Sequence, residues 1–458
     1  MRDSVRAADA APQVLADRTA GLTQAWRQSL TRPSLGGAYR SLPGPRRGTA
    51  GALAFLGPGL MVAVGYIDPG NWATGLAAGS AYGYELLFVI GLASLAGVMF
   101  QGLAAKLGVV TGRDLAQACR GAYGPRTRVV LWLLCEAAIC ACDLAELLGA
   151  AVALNLLFGL PLMLGAALTA LDVIVLIGFG RLGLRRLEAA VAAILLVVAG
   201  GFVVQLALAQ PSLAAILGGL VPHRTALSDP GRLYLAVGIL GATVMPHNLY
   251  LHSALVQTRR FELTDAGRAG AIRGAVLAGA AALGLAALVN GALVALAAAV
   301  FHAAGTGLVD DLARAHALLE PLLGPLAAAA FAVALLASAQ NATVTGTLAG
   351  QIVMEGFVEL RLAPWKRRLL TRSLALAPTL AVLAVMGDGA VGRLLILSQV
   401  VLSLQLPFAL VPLVRLTSDR RRMGRFANGP ALKAAAWAAC AVVIAADAVL
   451  LVQVGQAG

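Results

Sequence analysis

Two short runs in this sequence gather residue types that can hold a metal ion. Asp68-Pro69-Gly70-Asn71 interrupts an apolar stretch from about Gly51 to Ala78, and Met245-Pro246-His247 interrupts a second from about Leu233 to Val256. A proline has no N–H, so the helix carbonyl that would have accepted from it is left free. The carbonyls freed in this way are those of Gly65 and Ala242. With the Asp68 carboxylate, the Asn71 carboxamide and the Met245 thioether, they make a donor set that is partly hard and partly soft. Calcium and magnesium take oxygen ligands. A thioether adds little for those ions but suits manganese, iron, cobalt or cadmium. Affinity alone cannot then favour manganese over copper or zinc, because the Irving–Williams order runs the other way. Taken singly, Met245 reads as a packing residue and Pro69 as a kink. Asp, Gly and Asn around the break favour a site for a partly soft divalent ion.

Moving such an ion against its gradient needs a coupling ion, and a third apolar stretch offers groups suited to protons. Glu136, Asp143 and Glu146 are spaced seven and three residues apart. On a helix they fall within about 80° of one face, along roughly 15 Å of rise. Such a line of acids resembles a proton relay. The competing reading pairs each acid with an arginine from a neighbouring helix, but the apolar stretches contain almost no basic residues. His247 and His252 lie five residues apart, which turns them about 140° from each other, so they form no single chelate. Proton exit or gating is the reading set beside simple packing for both. Asp172 and Asp447 are isolated acids in apolar stretches and only weak candidates.

These groups can work only if membrane helices position them. The chain has 458 residues, of which 59% are hydrophobic and 12% charged, and no ordinary soluble domain has this composition. Runs near the roughly 20 residues needed to cross the hydrocarbon core fall at about 51–78, 86–109, 128–157, 160–180, 187–209, 233–256, 274–302, 325–355, 371–387, 391–414 and 432–453. The predicted fold class is an all-α integral membrane protein with eleven transmembrane helices. Non-helical backbone at mid-membrane survives only where it lines a cavity or binds something. Paired interruptions in two halves of a chain point to a transporter's substrate site. Here the breaks fall in the first and sixth spans. An odd offset of five inverts the second unit, which predicts an inverted repeat of spans 1 to 5 and 6 to 10 with an eleventh appended.

The net charge of +13 could suggest nucleic acid, but the placement of the basic residues gives topology instead. With a cytoplasmic N-terminus, 31 of the 35 Lys and Arg fall in the tail and the inside loops, leaving Arg224, Arg232, Arg314 and Arg393 outside. That asymmetry is the positive-inside rule. It predicts a cytoplasmic N-terminus and an extracytoplasmic C-terminus. Residues 1–49 read as a basic cytoplasmic tail and 50–458 as one transporter domain. The tail has no secretory signal pattern and is either a disordered leader or, over Val14 to Leu30, an amphipathic surface helix. Cys135, Cys140 and Cys142 cluster without sharing one helical face, so neither a thiolate site nor a disulfide is implied.

The runs Gly65-Tyr66-Ile67-Asp68-Pro69-Gly70-Asn71 and Ala242-Thr243-Val244-Met245-Pro246-His247, with Asp143-Leu144-Ala145-Glu146, resemble signature elements of the Nramp family of proton-coupled divalent-metal transporters, and in particular its bacterial manganese importers. The resemblance covers nearly all of the chain after Thr49. It implies the amino-acid/cation symporter fold, with alternating access by rocking of the bundle that contains spans 1 and 6. It implies a metal site of Asp68, Asn71, Met245, Gly65 and Ala242, joined by Gln399 of span 10. The implied proton pathway holds Asp68, His247, Glu136, Asp143 and Glu146, and leads inward past Arg367 or Arg368. Gln340-Asn341-Ala342-Thr343 departs from the Ser-rich run expected in span 8.

The predicted function is therefore proton-coupled import of Mn2+, with Fe2+, Cd2+ and Co2+ as further cargo, into a bacterial cytoplasm through the inner membrane. The partners are the metal, protons and the lipid bilayer, with no cofactor and no nucleic acid, and the chain is expected to act as a monomer. The alternative is a same-fold symporter for an organic solute such as an amino acid, whose carboxylate Asp68 would repel. A channel would need a ring of ligands, and a membrane metalloenzyme would need His-rich ligation such as His-Glu-x-x-His.

Overall fold

The computed structural model describes residues 34–35, 37–43, 53–169, 183–222 and 229–457. The first apolar stretch forms two helices, α1 (Leu56–Gly65) and α2 (Pro69–Tyr82), followed by α3 (Leu87–Thr111), the short α4 (Leu115–Arg120) and α5 (Pro125–Phe158). Next come α6 (Leu162–Thr169), α7 (Leu184–Ala209) and the short α8 (Leu213–Gly219). The sixth stretch is again split, into α9 (Pro230–Thr243) and α10 (Pro246–Leu255). It is followed by α11 (Asp265–Ala297), α12 (Leu312–Leu323), α13 (Pro325–Val358), α14 (Pro364–Met386), α15 (Val391–Gln405), α16 (Pro407–Ser418) and α17 (Pro430–Ala457).

Eight helices among the described residues are long and apolar enough to cross a membrane, with α15 and α16 counted as one. The two split helices stand beside them. Of the eleven predicted spans, the fourth is described only through α6, so Asp172 lies outside the described residues, as does most of the N-terminal tail.

The split helices pair head to tail. α1 packs against α10, and α2 against α9. The first half of one thus lies beside the second half of the other, as in antiparallel helices, and this is the arrangement an inverted repeat requires. Close approach is bought with small residues, as is usual in membranes where no water drives helices together. Gly149 of α5 lies against the Pro69 ring, and Gly241 of α9 against the backbone of Gln399 and Ser403 in α15; a methyl group at either glycine would overlap its neighbour. Both contacts press on a break, which ties helix packing directly to the site.

Candidate functional site

Each break is built from local chemistry. Asp68 has extended backbone and caps α2, its Oδ1 accepting from the Asn71 amide at 2.8 Å. Asp is among the best residues for this position, and Pro at the next suits a helix start. Met245 occupies the equivalent place before α10 and offers no capping hydrogen bond. A thioether is a poor cap, so Met245 does not serve the helix start as Asp68 does. Its side chain is fully buried.

The unwound carbonyls are claimed by distant helices. Asn290 of α11 donates to the Tyr66 carbonyl at 2.8 Å, and the Ser338 hydroxyl of α13 donates to the carbonyl of Ile67. The Asn71 Nδ2 donates both to Asp68 Oδ1, at 2.9 Å, and to the Ala242 carbonyl, at 3.1 Å. One carboxamide therefore joins the two breaks. Asp68 Oδ2, Gln399 Oε1 and His247 Nδ1 are buried and find no hydrogen-bond partner among the described residues. A carboxylate kept only as a cap would not hold its second oxygen dry and unpaired, since burying such an atom costs free energy. The Gln399 amide nitrogen presses so close to Gly70 that a methyl there would overlap it. Asp68, Asn71, Ala242 and Gln399 are thus neighbours at the meeting of α2, α9 and α15.

The acid line is real, but the expectation that its members lack basic partners does not hold. Arg367 meets Glu136 at 2.8 Å. Arg368 pairs with Asp143 and, at 3.1 Å, with Glu146. The reason is a helix boundary. α14 begins at Pro364, seven residues before the predicted span, so arginines counted as loop residues enter the helical bundle. Arg372, one turn further along α14, donates to the Asp143 carbonyl at 3.0 Å. Thr343 donates to Glu146 Oε2 at 3.1 Å, which gives part of the divergent run in span 8 a role in the line.

The two histidines of α10 meet different surroundings. His252 shares a contact with Gln101 Oε1 at 3.1 Å, and Gln101 Nε2 donates to the Tyr66 hydroxyl at 3.0 Å. This buried chain runs from α10 through α3 to the first break. His247 stands at the start of α10, which also packs on α5, the helix of the acids. Asp447 is not isolated: Ser403 of α15 donates to it at 2.8 Å.

Beyond the breaks, two further clusters close the helices together. Trp72, next to Asn71, packs on Phe202 with the rings tilted by 53° and their centroids 4.8 Å apart, and meets Phe331 edge-on at 5.2 Å. Buried Arg259 meets both Glu188 oxygens at 2.8 Å and donates to the carbonyl of Ala54. Neither cluster was visible in the sequence. Intramembrane Asn, Gln and Ser were the available signal for Asn290, Gln101 and Ser338, since a polar side chain in lipid must find work.

Residues 59–453 match the family described as natural resistance-associated macrophage protein-like, or Nramp. The chain belongs to the Nramp family. It is 55% identical over 420 residues to a divalent metal cation transporter MntH of Xanthomonas campestris pv. campestris, covering 91% of this chain and 95% of that one. It is 54% identical to the MntH of Xylella fastidiosa, covering 92% and 89%. Among solved structures, a mutant manganese transporter of Eremococcus coleocola superposes with a TM-score of 0.85 at 37% identity, covering 93% and 91%. A nucleobase-cation-symport-1 family transporter in a closed conformation is similar at a TM-score of 0.57 and 15% identity, which shows the shared fold alone. As an Nramp chain this is a multi-pass membrane transporter rather than an enzyme. Metal is cargo for such a protein and not a cofactor.

Proposed function

We propose that this Nramp chain imports divalent transition-metal ions together with protons, with manganese and also iron, cadmium and cobalt as its cargo. The observation that carries the reading is the junction of the two breaks. There the Asn71 carboxamide touches both Asp68 and the Ala242 carbonyl while Asp68 Oδ2 stays unpaired. A divalent ion would take that free oxygen and draw the Asn71 amide round so that Oδ1 faces it. Gly65 and Ala242 supply carbonyls, Met245 a thioether and Gln399 a carboxamide oxygen. Met245 is the filter, because sulfur helps transition metals and leaves calcium and magnesium without a ligand they prefer.

Protons use Asp68, His247 and the line of Glu136, Asp143 and Glu146. The paired arginines fit this role, for a bridged carboxylate can release a proton without standing as a bare buried charge. Arg367 and Arg368 stand where protons leave, at the end of the bundle that faces the cytoplasm with the N-terminus. The dry, anionic setting of Asp68 disfavours the organic-solute reading, whose carboxylate would meet like charge.

Competition uptake in proteoliposomes tests this, with manganese, iron, calcium and magnesium offered under a set pH gradient. Manganese and iron enter and acidify the lumen, while excess calcium or magnesium leaves uptake unchanged. Uptake blocked equally by calcium, or manganese entry at constant internal pH, sinks the selectivity or the coupling in turn.

A further inference from the structure

The described part of the N-terminal segment, residues 34–35 and 37–43, is fastened to the rest of the chain at two places. The Leu42 amide donates to the Thr258 carbonyl at 3.1 Å, the Arg40 amide to the Gln257 carbonyl at 3.0 Å, and the Arg260 amide to the Leu42 carbonyl at 3.0 Å. These bonds form a short strand-like pairing just past the end of α10. Side chains reinforce it: the Arg40 guanidinium donates to the Phe261 carbonyl and lies over its ring, and Arg260 donates back to the Arg40 carbonyl. The second fastening is Ser34, itself buried, which donates to Asp114 Oδ2 at 2.5 Å.

Asp114 matters because of where it stands. It caps α4 through a capping box with Gln117. That short helix is wedged between the end of α10, where Ser253 Oγ accepts from the Leu115 amide at 2.9 Å, and the end of α13, where Gly356 packs directly on Ala116. The segment therefore ties the moving half of span 6 to a helix seated on span 8. Ser34, Leu35 and Tyr39 of the segment share a small cavity with Asp114, Ala254 of α10 and the following Gln257 and Thr258, and Ser34, Leu35, Gly37 and Ala38 share a second cleft with Gln351 and Glu355 of span 8.

We propose that residues 34–35 and 37–43 form a latch across the metal-release end of the transporter, closed in this structure, which must leave the end of α10 before cargo can exit. The inference rests on the transport reading above. α4 packs more extensively on α13 than on α10, so when span 6 rocks against span 8 and α4 stays seated on α13, the fastenings at Ser34 and at Leu42 cannot both be kept. Backbone pairing makes the latch tolerant of side-chain change along the segment, while Arg40 and Ser34 set its register.

The test joins the latch to its seat in the full-length protein. Arg40→Cys/Phe261→Cys is reconstituted in proteoliposomes and bridged with a short, reducible bifunctional thiol reagent, with each single variant as control. Bridging is expected to lower manganese uptake by at least about tenfold, as expected when a required opening step is blocked, and reduction restores it. Bridged protein that transports like the unbridged variant overturns the proposal. A second measurement needs no transport. In inside-out vesicles, Ala254→Cys beneath the latch is labelled slowly by an impermeant maleimide, and adding Leu42→Pro, which removes the amide bonded to Thr258, speeds labelling by about tenfold. Equal rates overturn the latch. Faster labelling in a protein that moves no metal at all would instead leave the latch standing and remove the transport reading.

Discussion

Asn71 Nδ2 lies 3.1 Å from the Ala242 carbonyl oxygen and so bridges the two broken helices across 171 residues of chain. The same nitrogen holds Asp68, so three of the groups proposed to bind metal, those of Asp68, Asn71 and Ala242, are already joined through one side chain. Preformed sites lose little free energy in ordering ligands on binding. Asp68→Ala removes the only acidic ligand and is expected to abolish manganese uptake. Asn71→Ala removes the bridge as well as a ligand and is expected to weaken manganese binding by one to two orders of magnitude, about 1.4 to 2.8 kcal/mol. Calorimetric titration of purified protein reads both, and tight binding by Asp68→Ala would contradict the site.

Met245 caps no hydrogen bond at the start of α10, so its replacement tests selectivity more than folding. Met245→Ala is expected to keep manganese uptake while letting calcium compete for it. Radiolabelled manganese uptake against rising calcium gives the answer. A variant that still excludes calcium like its parent would mean that sulfur is not the filter.

Arg368 holds Asp143 and Glu146 together, and all three are buried. Removing one partner of such a cluster typically costs about 3 to 5 kcal/mol, because the remaining charges stay buried and unpaired. Arg368→Ala should therefore lower the melting temperature clearly. Glu146→Gln keeps a carbonyl oxygen that Thr343 and Arg368 can bond but cannot take up or release a proton. Manganese uptake should persist there with reduced acidification of the lumen, followed with a trapped pH dye; full acidification would place the relay elsewhere.

Gly70 gives the Gln399 amide its place, since a methyl at that position overlaps Nε2. Gly70→Ala is expected to push Gln399 aside and to cut metal affinity, while Gly70→Ala/Gln399→Ala loses no more than Gln399→Ala alone. Isothermal titration of the three variants measures this coupling. Simple additivity of the two losses would show that Gly70 and Gln399 act separately.

Asp114 lies outside the spans, and burial pushes its carboxyl from an ordinary 3.8 up to about 6, although the hydroxyl of Ser34 and the amide of Gln117 partly oppose this. The sign follows from linkage. A carboxyl whose folded value is raised contributes stability below the unfolded value and loses it as pH rises through the folded one. The loss attributable to Asp114 therefore falls between about pH 4 and 6. Asp114→Asn, which retains a good helix cap, should flatten the melting temperature over that window. An unaltered profile would locate the pH dependence in another group.

Much of the site was legible in the residues because its causes are local. A proline without an N–H opens a helix wherever it sits, and Asp68 and Met245 are adjacent to their prolines in the chain, with Asn71 two residues beyond. Runs of apolar residues likewise announce spans without help from tertiary contacts, since lipid requires them. The odd offset between the breaks carried the inverted pairing that α1 with α10 and α2 with α9 now display.

What folding alone decided are the meetings between residues far apart in sequence. Arg367 and Arg368 looked like loop charges until α14 began early enough to carry them to the acids of α5. Asn290 and Ser338 reveal their purpose only beside the opened carbonyls of Tyr66 and Ile67. Arg259 and the segment at Leu42 likewise gain meaning from what they touch. Periodicity and proline chemistry act over a few residues, whereas a buried charge or a free carbonyl is satisfied by whichever partner the packed helices deliver, and no local pattern names that partner.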